Sequence, residues 1–135
     1  MNIKQVAQIT GLSSKTIRFY EDKGLISPPE RADNGYRQYN ASQIDELLFL
    51  HRCRNAGFSL PESKELLDLY LDPSRHSSEI KQRTLEKITQ IEQQILKLQE
   101  MKQQLESLAA QCPGNAQSDC PIIDSLSGKV YSRKL

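Results

Sequence analysis

The feature that most constrains the fold is a stretch of more than 30 residues, from about Ser77 to Ala110, without glycine or proline. Such a stretch can form one long helix, roughly 50 Å in length at about 1.5 Å per residue. Its apolar side chains recur at the a and d positions of a heptad, a coiled-coil pattern that Lys102 interrupts once. A helix with this seam needs a second helix to cover it, and a second copy of the chain is the simplest partner. The seam residues are Ile88, Ile91, Ile95, Leu98 and Leu105.

The first part of the chain predicts short helices separated by turn residues. Two of them, NIKQVAQIT and SSKTIRFYEDKG, each end at a glycine, and Ser13 or Ser14 caps the second. Two short helices joined by a turn that contains glycine are typical of a helix-turn-helix. The Asn34-Gly35 pair that follows predicts a tight hairpin turn, because both residues tolerate positive φ, and hence a small β wing.

Two amphipathic helices are predicted after the wing and a short one near the end of the chain. SQIDELLFLHRCRNAGF is expected to begin after Ser42, with Asp45 completing a capping box. SLPESKELLDLYLDP is expected to begin after Ser59, and PIIDSLSG to begin at Pro121. The remaining residues, 129–135, predict a disordered tail.

These patterns predict a mainly α-helical chain. We expect a winged helix-turn-helix domain of the DNA-binding kind at residues 1–70 and a dimerisation helix at residues 75–111. A loop with two cysteines and a short helix follows at residues 112–128, ahead of the tail.

Composition narrows the class of protein. Net charge is only +1, so any nucleic-acid contact must come from locally placed basic groups rather than from a polybasic surface. The chain has no run of about 18 apolar residues, which argues against a membrane span. Its N-terminus lacks the pattern of a signal peptide, so we expect a cytoplasmic protein whose thiols stay reduced.

The loop CPGNAQSDCP contains two of the three cysteines, Cys112 and Cys120, and a proline follows each. Soft thiolates select Cu(I) among cellular metals. Two thiolates suit a linear two-coordinate ion, whereas structural zinc needs four ligands. Because Cys120 lies at the start of the last short helix, the positive end of that helix should lower its pKa. A reversible disulfide is the alternative for this pair, and Cys53 is expected to be a small core residue.

The stretch TIRFYEDKGLISPPERADNGYRQY, residues 16–39, resembles the signature of the MerR family of metal-responsive transcription regulators. The segment AGFSLPESKELL is similar to the part that follows in that family. The run at 110–114 and the segment DCPIIDSLSG resemble its copper-sensing branch, the CueR-type regulators. The resemblance covers residues 1–128.

The helix-turn-helix and wing supply the candidate DNA contacts. Arg18 is long enough to reach a guanine edge or a phosphate, and the wing offers donors suited to phosphates. Phe19 is expected in the core, and Tyr39 is ambiguous. The opposing interpretation is a solvated surface on which Arg18 and Arg31 pair with Glu21 and Asp33. The predicted DNA-binding residues are Lys15, Thr16, Arg18, Tyr20, Arg31, Tyr36, Arg37 and, at the end of the third helix, Arg54.

The resemblance also implies a mechanism. It implies a homodimer that binds a palindromic operator. The dimer is expected to bind one Cu(I) per chain, with Ag(I) or Au(I) also accepted, and to distort promoter DNA so that RNA polymerase can use it.

Divalent-metal sensors of the family carry a cysteine at the start of the long helix, where this chain has Ser77. That helix start should come from the partner chain and lie over the loop. Lys81, one turn later, is a hypothetical counter-charge or else an exposed lysine. Copper efflux and detoxification genes are the implied targets.

Two other functions remain open at this point. One is a thiol–disulfide redox-sensing regulator of the same family. The other is a copper-binding module that does not bind DNA, which would leave the helix-turn-helix and wing unexplained. An enzyme is not expected, because the sequence shows no nucleophile–base pair, phosphate loop or open metal site.

Overall fold

The structure is a computed structural model that describes residues 1–128, so the tail predicted at 129–135 lies outside it. The predicted mainly helical fold is confirmed, and none of the described helices is long and apolar enough to cross a membrane. Two compact units are present, Met1–Lys87 and Ile88–Leu135. The elements in chain order are α1 (Ile3–Thr10), α2 (Ser14–Asp22), β1 (Glu30–Arg31), β2 (Arg37–Gln38), α3 (Ala41–Asn55), α4 (Leu60–Leu71), α5 (Ser77–Gln111) and α6 (Pro121–Ser127).

The helix-turn-helix forms as its capping residues predict. Helix α1 ends at Gly11, whose φ of 76° is left-handed and whose N–H donates to the Ala7 carbonyl. Helix α2 begins after Ser13, whose Oγ accepts the N–H of Thr16 at 3.0 Å. Both helices pack on α3 and α4 through one apolar core. That core contains Val6, Ile17, Tyr20, Ile26, Tyr39, Leu47, Leu50 and Leu67.

The wing is a two-stranded antiparallel hairpin in which Glu30 pairs with Gln38 and Arg31 with Arg37. Its turn differs from the predicted tight one, because the strands are joined by a five-residue loop, residues 32–36. Gly35 takes a left-handed φ of 82°, and Asn34 instead accepts the N–H of Tyr36 with its side chain. The side chain of Asn34 therefore stabilises the loop without the positive φ that the prediction assigned to it.

Helix α3 begins earlier than predicted. Its N-cap is Asn40, and Gln43 completes the capping box, so the assignment of these roles to Ser42 and Asp45 is wrong. A tertiary contact favours the observed register, because the Gln43 amide also donates to the Pro28 carbonyl at 2.8 Å. Helix α4 is capped by Ser59 as predicted.

Buried polar side chains of α3 anchor the segment that leads into the wing. Glu46, 4% exposed, accepts hydrogen bonds from the backbone N–H and the hydroxyl of Ser27. Together with the bond from Gln43 to Pro28, this holds two consecutive residues of the segment against α3. Buried polar groups of this kind are stable only when they are paired, so these bonds define where the wing starts.

The first turns of α5 are tied to α4 by ion pairs. The ammonium of Lys87 lies 2.8 Å from a carboxylate oxygen of Glu62 and 5.6 Å from the ring centroid of Phe58. Arg83 pairs with Glu65 in the same way one turn earlier. The hydrogen bond from Lys87, together with the capping bonds from Ser59, lowers the pKa of Glu62 to about 2. These first turns therefore belong structurally to the N-terminal unit.

The heptad seam of α5 is uncovered in a single chain. No residue of this helix is buried, although the whole of it is described. Ile88, Ile95 and Leu105 are about half exposed, and Leu98 is 60% exposed. An exposed apolar stripe of this length, interrupted once at Lys102, is typical of the seam that a second helix covers in a coiled coil.

Candidate functional site

A groove with a volume of about 700 Å³ lies between α1, α2 and the wing. It brings together four residues that the sequence predicted as DNA contacts, and these come from two elements separated in the chain. It also includes Lys4, which sequence reasoning missed because nothing local links α1 to the wing. The residues lining the groove that carry charge or a hydroxyl are Lys4, Arg18, Arg31, Tyr36 and Arg37.

The ion pairs differ from those of the solvated-surface interpretation. Glu21 pairs with Arg37 and not with Arg18, and Arg31 donates to the Gly35 carbonyl at 3.0 Å. Among the described residues, neither Arg18 nor Arg31 forms an ion pair. Two guanidinium groups in the groove are therefore not neutralised by a neighbouring carboxylate.

Glu21 connects the second helix to the second strand of the wing. Its two carboxylate oxygens accept from Nε of Arg37 at 3.0 and 2.9 Å, and one also accepts from the Tyr39 hydroxyl at 3.0 Å. The hydrogen bond to Glu21 raises the pKa of Arg37. Burial, followed by the bond to Glu21, raises the pKa of Tyr39 to about 12. Tyr39, ambiguous in the sequence, is a core residue with 2% exposure.

The burial of two aromatic residues of α2 is the reverse of the prediction. Tyr20 was predicted to contact DNA, but it is 7% exposed and belongs to the core. Phe19 was predicted in the core, and this is wrong, because it is 46% exposed. The helical repeat explains both, since Ile17 and Tyr20 lie three residues apart on the buried face and Phe19 lies outside that face. The ammonium of Lys23 lies 5.8 Å from the Phe19 ring centroid.

The other predicted DNA contacts lie at helix ends. Lys15 is exposed in the first turn of α2, and Thr16 is half-buried with its hydroxyl 2.8 Å from that of Ser13. Arg54 is exposed in the last turn of α3 and donates to the Phe58 carbonyl at 3.4 Å. None of these three lines the groove.

Cys112 and Cys120 meet in the loop between α5 and α6. Their sulfurs are 3.6 Å apart, and both residues are half-buried free thiols. Within residues 1–128, no group of three or more histidine, cysteine, aspartate or glutamate side chains is placed to hold a metal. The loop therefore brings two soft sulfur donors together, a pair that suits a soft ion.

The start of α6 favours the thiolate of Cys120. This residue occupies the N-cap position, and Pro121 follows it. The backbone N–H of Ile123 lowers the pKa of Cys120 first, with smaller help from the Cys112 thiol and the N–H of Ile122. Partial desolvation and the Asp124 carboxylate oppose this shift. Cys53 behaves in the opposite way, because burial raises the pKa of its thiol.

We expect Cys120 to be alkylated faster than Cys53 in metal-free protein at pH 7, since the thiolate is the reactive form and the pKa of Cys120 is lowered while that of Cys53 is raised. Burial of Cys53 at 9% exposure should slow its reaction further. Limited treatment with iodoacetamide followed by peptide mass spectrometry measures both rates. In urea the two rates should converge, and equal rates in the folded protein would contradict this assignment.

Ser77 is the first residue of α5, and Lys81 lies one turn later, both exposed. They belong to the unit Met1–Lys87, whereas the two thiols of the loop belong to the unit Ile88–Leu135. The sequence predicts that the start of α5 in a partner chain lies over the loop, and this stays a prediction.

Comparison with known proteins identifies the family. The profile of the MerR HTH family regulatory protein matches residues 1–70, and the profile described as MerR, DNA binding matches residues 44–108. The chain belongs to the MerR family. The resemblance inferred from residues 16–39 is thereby confirmed.

The similarity of this MerR-family chain to curated and solved relatives extends over nearly its whole length. It is 55% identical over 133 residues to the HTH-type transcriptional regulator CueR of Escherichia coli O6:H1, covering 98% of each chain. This likeness supports the CueR-type branch. The crystal structure of the transcription regulator PbrR691 from Ralstonia metallidurans CH34 in complex with lead(II) superimposes with a TM-score of 0.78 at 28% identity, covering 93% of this chain and 98% of the other.

A second solved relative is the dual function transcriptional regulator MerR from Bacillus megaterium MB1 in complex with mercury(II) ion. Its TM-score is 0.65 at 32% identity, with 90% of this chain and 94% of the other covered. These relatives are transcriptional regulators, so the MerR-family chain described here is a DNA-binding regulator of transcription and not an enzyme.

Proposed function

We propose that this MerR-family regulator responds to Cu(I) and activates copper efflux and detoxification genes. The observation that carries the proposal is the pair of half-buried thiols of Cys112 and Cys120, 3.6 Å apart. One ion can contact both sulfurs at this separation. The described residues provide no third ligand of the kinds zinc or iron prefers near them, which favours Cu(I) and its analogues Ag(I) and Au(I).

The residues of the loop prepare the site chemically. The lowered pKa of Cys120 means that less free energy is needed to release its proton when a metal binds. A bound Cu(I) would supply a positive charge that joins the two thiolates and leaves the site with a net charge of −1. The backbone N–H groups at the start of α6 favour that negative charge, which supports the fit of the loop to a single monovalent ion.

For DNA binding we propose that the groove and the exposed end of α2 contact a palindromic operator. Arg18 and Arg31 have no carboxylate partner among the described residues, which leaves them suited to phosphates or guanine edges. Phosphate contacts of this kind set the position of the protein on the duplex. The proposed contacts that remain after Tyr20 is withdrawn are Lys15, Thr16, Arg18, Arg31, Tyr36, Arg37 and Arg54.

We propose that a second copy of the chain covers the seam of α5, because its apolar residues are exposed in the single chain and a palindromic operator requires two equivalent reading heads. The regulated step is then a shift between two protein–DNA states. Their difference is a DNA deformation costing a few kcal/mol, which determines whether RNA polymerase can use the promoter.

Selectivity for monovalent ions is proposed to depend on Ser77 of the partner chain. A hydroxyl is a poor ligand for a soft ion, and Lys81 is proposed to offset the negative charge of the filled loop. We expect the substitution Ser77→Cys to supply a third thiolate and to raise Zn(II) affinity by about tenfold or more while Cu(I) stays bound. Competition titrations of wild type and variant with Zn(II) measure this. No gain in Zn(II) affinity would remove Ser77 from the selectivity argument.

The experiment that tests the proposed function is an anaerobic titration of Cu(I) against a competing chelator. We expect one tightly held Cu(I) per chain that Zn(II) does not displace. A thiol–disulfide sensor is the second candidate, since a separation of 3.6 Å also allows the two thiols to oxidise. Weak Cu(I) binding together with a promoter response to oxidant would favour that alternative.

A further inference from the structure

The side chain of Arg37 is held in the groove by a residue outside the set of proposed DNA contacts. Both carboxylate oxygens of Glu21 accept from Nε of Arg37, and the side chain of Glu21 is only 11% exposed. Within the described residues, the Arg37 side chain donates through Nε alone. A guanidinium has five N–H donors, so the four on its terminal nitrogens remain for another acceptor.

The carboxylate of Glu21 is itself held in place. The Tyr39 hydroxyl donates to the same oxygen that lies 2.9 Å from Arg37 Nε, and Tyr39 is buried in the core. A tyrosine hydroxyl is protonated at physiological pH, since its ordinary pKa is about 10, so it stays a donor to Glu21. The chain of contacts therefore runs from the core through Glu21 to a guanidinium that lines the groove.

We propose that Glu21 is a positioning residue for DNA binding, which acts through Arg37 by fixing its guanidinium so that the terminal nitrogens meet a phosphate. The inference rests on the proposed role of Arg37 as a DNA contact. For a variant that lacks the Glu21 carboxylate, it predicts a change in DNA affinity opposite to the one expected from net charge alone. Removing a carboxylate from a DNA-binding surface should tighten binding, whereas removing this one should weaken it because Arg37 loses its orientation.

The test uses the full-length protein and a duplex selected by the wild type from random-sequence DNA, with affinity measured by fluorescence anisotropy at several KCl concentrations. We expect Glu21→Gln to weaken binding about tenfold or more, the size of a lost hydrogen bond to a charged group. The slope of log affinity against log salt should fall by about 0.9, as for one phosphate contact. A slope that falls by about two or more would indicate a collapsed wing and contradict the proposal.

Three variants complete the design. Arg37→Gln should lower the slope by the same amount, and the double variant should bind no worse than Arg37→Gln alone. Tyr39→Phe keeps every charge and should weaken binding less than Glu21→Gln does. Glu30→Gln on the exposed strand β1 is the matched control, because it removes the same charge without contacting Arg37 and should leave binding equal or tighter.

The outcomes separate this inference from the proposed DNA contacts. Wild-type affinity and slope in Arg37→Gln would overturn the contact proposed for Arg37 and this inference with it. Weakened binding in Arg37→Gln, with unchanged or tighter binding in Glu21→Gln, would overturn the positioning role alone. Additive losses in the double variant would do the same.

Discussion

Replacing Cys112 or Cys120 with serine is expected to abolish the binding of Cu(I) and the response of the promoter to copper, while operator binding persists. Each substitution leaves one thiolate, and a hydroxyl is a poor substitute for a soft ion. The described part of the chain offers no third ligand near the loop to compensate. Losing one of two metal–sulfur bonds should weaken affinity by at least about a thousandfold, since ligand bonds supply most of the binding free energy.

The measurements are the Cu(I) competition titration and transcription from the target promoter with purified RNA polymerase. Cys53→Ala is the matched control, because Cys53 is buried in the N-terminal unit. Its substitution should leave metal binding unchanged. Copper affinity that survives in either loop variant would show that the two thiols do not form the sensor site. Loss of operator binding in the loop variants would instead indicate that the loop supports the dimer.

The substitution Leu98→Lys in the seam of α5 is expected to dissociate the proposed dimer. In the dimer both copies of the seam would be buried, and burying one leucine stabilises by about 1.5–3 kcal/mol. Two copies therefore correspond to about 3–6 kcal/mol, or a dissociation constant raised by about a hundredfold to ten-thousandfold. Two opposed lysine charges add to this effect. Operator affinity should fall with dimerisation, because one reading head makes only half of the contacts.

Analytical ultracentrifugation gives the dissociation constant, and anisotropy gives the operator affinity. Gln93→Lys is the matched control, since Gln93 lies on the face of α5 opposite the seam and the substitution adds the same charge. Equal dimerisation of both variants and wild type would mean that α5 is not the dimer interface. A helical signal that stays unchanged in Leu98→Lys would confirm that only association was lost.

Much of the helical architecture could be predicted because its signals are local. Gly11 ends α1 and Ser59 starts α4 through contacts within a few residues of each. The start of α3 could not be chosen in this way, since two pairs of residues there satisfy the same capping pattern. The observed pair uses Gln43, which also reaches Pro28 fifteen residues away. Such a contact depends on the packing of α3 against the segment that leads into the wing.

The candidate sites show the same difference between local signals and contacts between distant residues. The two cysteines and the seam of α5 were visible in the sequence because spacing along a loop or a helix is enough to define them. The fold alone decided which aromatic of the pair Phe19 and Tyr20 enters the core, and that Glu21 pairs with Arg37, sixteen residues along the chain. The reason is physical: periodicity describes one element at a time, whereas burial and ion pairing depend on distances between elements that only packing sets.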